Sequence, residues 1–240
     1  MSHIYETLKT ALAAEQPVVV VTVVGGAGRV GAKLLAHADG TIVGTLDLPT
    51  QAAIVADALG MLARAESGIR RHAAPDGDVQ VFIESYPPPP TLLIVGAVHI
   101  AIPLVSYGRT LGFRTIVIDA RGAFATAERF AHADELIIAW PDEVLPAKLT
   151  SNSYVVLLTH DPKLDDPALK VVLPSAARYV GALGSSKTHA RRIERLSAEG
   201  VSAEHLARLH APIGLPLGGR TPEEIALSII AQIIAVRNGV

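Results

Sequence analysis

The chain has 240 residues, half of them hydrophobic, 18% charged and 4% aromatic, with a formal net charge of −2. That balance excludes the broad basic field needed to hold nucleic acid or an anionic membrane surface. Zero cysteines exclude disulfides, thiolate zinc sites, iron–sulfur clusters and a cysteine nucleophile, so any metal chemistry falls to His and carboxylates.

At roughly 100–200 residues per domain the length favours two domains. The first residues, MSHIYETLK, predict a helix capped by Ser2, with Ile4, Leu8 and Leu12 on one face and an end before Pro17. They hold no apolar signal core, and no later segment offers the ~18 uninterrupted apolar residues of a membrane span. A cytoplasmic protein without a membrane span is expected. Val18–Val24 reads as a strand that enters the glycine-rich run 25–33, where Arg29 and Lys33 are candidate anion ligands. Asp39-Gly40 then marks a hairpin turn between Leu34–Ala36 and Thr41–Leu46. Thr50 is placed to cap a helix through Ile54, Ala58, Met61 and Leu62, and Val79–Ile83 is the next strand. These elements predict a small α+β N-terminal domain over residues 1–86.

Pro87 to Pro90 join neither helix nor ladder, so residues 87–90 are expected to be an extended linker. From residue 91 to 240 the pattern alternates β-branched runs with helices. The strands are Leu92–Val95, Thr115–Ile118, Glu135–Ile138, Tyr154–Leu158 and Arg178–Ala182. The helices are Ile100–Leu111, Asp166–Leu173 and Lys187–Glu199, and a last one is capped by Thr221-Pro222-Glu223-Glu224. Such alternation predicts an α/β domain, a Rossmann-like parallel sheet with helices on both faces.

Candidate sites cluster where strands meet helices, because ligands of open α/β sheets bind at carboxyl strand ends. Gly96 opens a glycine fingerprint whose middle glycine is replaced by Val98, a side chain standing where a pyrophosphate would approach. Asp119, 23 positions after Gly96, is placed to bind a ribose, so NAD(P) is one candidate ligand, weakened by Val98. His99 follows the fingerprint and either faces the crevice or packs as a neutral imidazole. Thr159, His160 and Asp161 emerge from the end of the fourth strand, with Asp161 also a helix cap. Gly184, Ser185 and Lys187 bring glycine, hydroxyl and cation to a helix start, a combination suited to an anion and equally to an ordinary cap. The irregular apolar segment His210–Gly219 is a candidate cover over the pocket.

Several segments together carry a resemblance. They are Arg29–Lys33, Leu93–His99, Gly112–Arg121, Glu128–Phe130, Tyr154–Asp161, Arg178–Gly181, His210–Gly214 and Thr221–Ala226. In this order the chain resembles the XdhC/CoxI family of molybdenum-hydroxylase maturation factors. The resemblance implies a two-domain, often dimeric accessory protein that acts as a chaperone rather than a catalyst. It implies binding of molybdenum cofactor, a pterin phosphate carrying the metal, and service in its sulfuration and insertion into a xanthine- or CO-dehydrogenase-type enzyme. The apo-hydroxylase and a cysteine desulfurase would be partners. Two departures stand out: Thr45–Thr50 replaces the family's glycine-rich segment ending in cysteine, and Val98 replaces a glycine. An NAD(P)-dependent oxidoreductase and a ligand-free structural or regulatory paralogue are the alternatives these departures leave open.

Overall fold

The computed structural model describes residues 2–240 and forms two compact units that divide between Pro88 and Pro89. In the first unit α1 (Ser2–Ala13) precedes β1 (Val18–Gly26), β2 (Lys33–His37) and β3 (Ile42–Gly44). Then follow α2 (Gln51–Ala63), β4 (Gly68–His72) and β5 (Val79–Tyr86). The five strands form an antiparallel sheet in the order β3-β2-β1-β5-β4. β1 is a run of valines because it is central and covered on both faces. Val19, Val21 and Val23 pack with Ile54, Ala58 and Met61 of α2, and Val18 and Val20 pack with Ala11 of α1. The alternation follows from the period of two along a strand.

Two features of this unit differ from the sequence expectations. β4, of sequence GIRRH, was not anticipated, since an edge strand that carries Arg70 and Arg71 lacks the apolar alternation that signals burial. Thr50 occupies the N-cap position of α2 without any side-chain cap bond. The entry to α2 is instead tied by Gln51, whose Oε1 accepts the Leu46 amide at 2.7 Å. The cap role of Ser2 rests on a side chain outside the described residues.

The second unit contains β6 (Thr91–Val95), α3 (Ala101–Thr110), β7 (Arg114–Ile118), α4 (Ala127–Phe130), β8 (Glu135–Ile137) and α5 (Pro141–Lys148). It continues with β9 (Ser153–Leu157), α6 (Pro162–Val172), β10 (Tyr179–Ala182), α7 (Ser186–Ala198), α8 (Ala203–Leu206), β11 (Leu209–His210) and α9 (Pro222–Asn238). All six strands are parallel, in the order β11-β10-β9-β6-β7-β8. This is a Rossmann-like sheet, and its order reverses between β6 and β9. One face is covered by α3 and α9, through Leu104, Val105, Ile229 and Ile233. The other is covered by α6 and α7, through Leu169, Val172 and Leu196. Helix α6 starts at Pro162, earlier than expected, because Asp161 caps it by accepting the Lys163 amide and Pro162 supplies a first-turn φ. The capping box of α9 forms as predicted, between Thr221 and Glu224. Among the described residues no helix is long and apolar enough to cross a membrane.

Candidate functional site

The carboxyl ends of β6, β7, β9 and β10 meet at the point where the strand order reverses, and most of the sequence candidates gather there. Gly96 directly follows β6 with φ +110°, and a Cβ added to it would lie 2.8 Å from Thr159 Cγ2. Glycine is thus required both for the turn and for the approach of the β9 end.

Asp119 directly follows β7, with its side chain fully buried. One carboxylate oxygen accepts the Ala97 amide at 2.8 Å, and both bind the guanidinium of Arg121, at 2.9 and 2.8 Å. Burial pushes this carboxyl up, but the hydrogen bonds from Arg121 and from the Arg121 and Ala97 amides, with the guanidinium charge, hold it below the ordinary carboxylate value. A ribose hydroxyl would have to displace one of these partners. The same amide bond ties the fingerprint turn to β7, while Val98 packs partly buried against the apolar core.

At the end of β9 the hydroxyl of Thr159 donates to Asp165 Oδ1, and Arg192 Nη2 binds Asp165 Oδ2 at 3.1 Å and the Leu183 carbonyl at 3.1 Å. Asp165 and Arg192 are only 1% and 2% exposed. Burial raises the Asp165 carboxyl against the opposing pull of Thr159, Arg192 and His160. Arg192 Nε and Nη1 are buried with no partner among the described residues. His160 holds a left-handed backbone at φ +58° and is exposed. A non-glycine residue in that region costs about 1 kcal/mol or more. Ser185 caps α7 by accepting the Thr188 amide at 3.2 Å.

Two cavities flank the turn 183–188. The larger, of about 520 Å³, is bounded by Leu183, Gly184 and Ser185 on one side and by the segment Pro212–Gly219 on the other. That segment is held by Gln232, whose Oε1 accepts both the Tyr179 hydroxyl at 2.6 Å and the Gly214 amide at 2.8 Å. The cover expected of residues 210–219 is therefore a wall of the larger cavity. The smaller cavity, of about 320 Å³, is lined by Lys187, Arg191, Arg192, Arg195, Asp165 and Thr188, among others. His160 borders both.

Of the sequence candidates, His160, Gly184 and Ser185 line the larger cavity, and Lys187 the smaller. Thr159 reaches the smaller cavity through Asp165, and Asp161 serves as the α6 cap. Gly96 and Asp119 shape the turn behind them. His99 is exposed and borders neither cavity. Arg29 and Lys33 belong to the first unit, where Arg29 is exposed and Lys33 Nζ donates to Thr22 Oγ1 at 2.9 Å. Asp165, Arg191 and Arg192 were not picked out from the sequence. The available signal was Arg192 itself, a charged residue one turn before Leu196 on the buried stripe of α7. Among the described residues no group of three or more His, Asp or Glu side chains is placed to hold a metal ion.

Comparison with known proteins agrees with this architecture. Residues 92–233 match the family model described as the XdhC Rossmann domain, and residues 11–73 match that of the XdhC and CoxI family. The chain is 34% identical over 167 residues to a Bacillus subtilis protein described as a probable xanthine dehydrogenase component, covering 69% of this chain and 48% of that protein. It is 29% identical over 136 residues to the molybdenum cofactor insertion chaperone PaoD of Escherichia coli, covering 57% of this chain and 40% of that one. The chain thus spans less than half the length of these relatives. A crystal structure described as a xanthine dehydrogenase from Bacillus halodurans shares the fold, with TM-score 0.57 at 22% identity, covering 98% of this chain and 95% of that one.

Proposed function

Since the chain belongs to the XdhC and CoxI family, we propose that it is a maturation factor that holds molybdenum cofactor and serves its sulfuration and insertion into a xanthine- or CO-dehydrogenase-type hydroxylase. The observation that carries this reading is the larger cavity at the strand ends. Its volume of about 520 Å³ lies in the range of small-molecule and cofactor sites, roughly 300–1,000 Å³. Leu183, Ile213 and Leu215 give it apolar contact for a flat heterocycle, while the backbone of Gly214–Gly219 and the side chains of Ser185, His160 and Ser228 give it polar edges. The bound group would supply the metal and the exchangeable sulfur. This chain's residues hold its ring, keep water from one face and present it to a client. With no cysteine in the sequence, no thiolate of this chain holds the metal or relays sulfur, so the apo-hydroxylase and a cysteine desulfurase are the partners the reading requires. A homodimer is part of the same proposal.

The test is to purify the protein from a molybdopterin-competent host and measure oxidised-pterin fluorescence and molybdenum. About one pterin per chain is expected, falling at least several-fold in Ser185→Trp, which fills the cavity mouth. Protein free of pterin that instead binds NADPH would sink the reading.

A further inference from the structure

The smaller cavity offers a charge balance that the structure itself leaves open. Four cationic side chains line it: Lys187, Arg191, Arg192 and Arg195. Asp166 engages Arg195 through two bonds, at 2.6 and 3.0 Å, and Asp165 engages Arg192 at 3.1 Å. Lys187 and Arg191 have no ion-pair partner among the described residues, and both are exposed. Two positive charges therefore remain unmatched beside the N-terminus of α7, where the amides of Ser186 and Lys187 have no intrahelical acceptor.

Arg192 adds an observation independent of the helix end. It is 2% exposed, borders this cavity, and leaves Nε and Nη1 without an acceptor. Buried guanidinium donors left unpaired are costly, and an anion is the group that would satisfy them.

We propose that this cavity is a phosphate seat, built for a phosphate monoester. Such a group carries about −1.5 to −2 charge at neutral pH, matching the two unpaired cations, and has three acceptor oxygens for Lys187, Arg191 and the α7 amides. The unpaired Nε and Nη1 donors of Arg192 complete the set by donating to the same oxygens. A carboxylate ligand would leave one positive charge unmatched. Because His160 borders both cavities, one ligand can place its phosphate here and its ring in the larger cavity, and that last assignment rests on the cofactor reading above.

The experiment uses the full chain from a host that makes no molybdopterin, titrated calorimetrically with inorganic phosphate and with methyl phosphate at low ionic strength. Saturable binding with one site per chain is expected. Lys187→Ala with Arg191→Ala, both on the surface, should weaken it at least about tenfold. Arg192→Lys keeps the charge opposite Asp165 but loses the fork, and should weaken binding several-fold while circular dichroism stays unchanged. No saturable binding, or equal affinity in the Lys187/Arg191 variant, overturns the seat. Protein that binds phosphate yet never carries pterin keeps the seat and overturns the cofactor reading. Protein that carries pterin but binds no phosphate in its pterin-free form overturns the seat alone.

Discussion

Asp119 accepts the amide of Ala97 at 2.8 Å, so the acid that follows the second Rossmann strand closes the glycine turn of the first. Asp119→Ala leaves that buried amide and the Arg121 guanidinium unpaired, and should cost about 3 kcal/mol, read from urea midpoints. If the acid held a ribose instead, the variant would lose ligand affinity at unchanged stability, and that outcome would contradict the assignment.

Gly96→Ala is expected to be poorly tolerated. It puts a side chain at φ +110° and within 2.8 Å of Thr159 Cγ2, so a loss of about 2–4 kcal/mol follows from strain and overlap together. Shortening the neighbour in Gly96→Ala/Thr159→Ser should recover the overlap part, and a double variant no more stable than the single one would show that only the backbone matters.

Gln232→Leu removes the acceptor shared by the Tyr179 hydroxyl and the Gly214 amide. With Tyr179 1% exposed, the unpaired hydroxyl alone costs about 1–3 kcal/mol. The Pro212–Gly219 wall should loosen with it, so amide exchange at Gly214 should quicken and pterin retention should fall. Retention unchanged in the folded variant would argue that this wall does not contact the ligand.

Stability should fall in two acid windows. Burial lowers His210, which stacks on Tyr179 at 4.7 Å, and burial with the Arg192 charge lowers His189. For a group depressed in the folded state the unfolded chain binds more protons, so stability is full above the unfolded value near 6.5 and is lost as pH drops below it. Asp119, also depressed, keeps its contribution above its ordinary value near 3.8 and loses it below. Thermal midpoints should decline from about pH 7.5 to about pH 5.5, and His189→Gln/His210→Gln should flatten that decline. A midpoint that rises on acidification would count against both assignments.

The parts of this fold legible in the sequence were those whose determinants are local. The α9 cap was readable because Thr221, Pro222 and Glu224 act within one turn, and the parallel strands were readable because buried β-branched runs need no partner to be recognised. β4 was not, because Arg70 and Arg71 on a sheet edge look like a loop. At the site, the sequence marked the strand ends holding Thr159, His160 and Ser185, since fold class alone places ligands there. It did not reveal what Asp119 would bind. Nor did it reveal Arg192, whose partner Asp165 stands 27 residues away and meets it only once α6 and α7 lie side by side on the sheet.

The position of α9 sets the timetable of synthesis. Ile229, Ile230 and Ile233 complete the core that α3 and β6 begin, so one face of the Rossmann sheet stays only partly covered, by α3, until α9 has left the ribosome. The first unit closes its sheet with β5 and has no such dependence. A nascent chain stalled before residue 222 should therefore present a protease-resistant first unit joined to a second that is still cleavable, with its apolar strands open to chaperones.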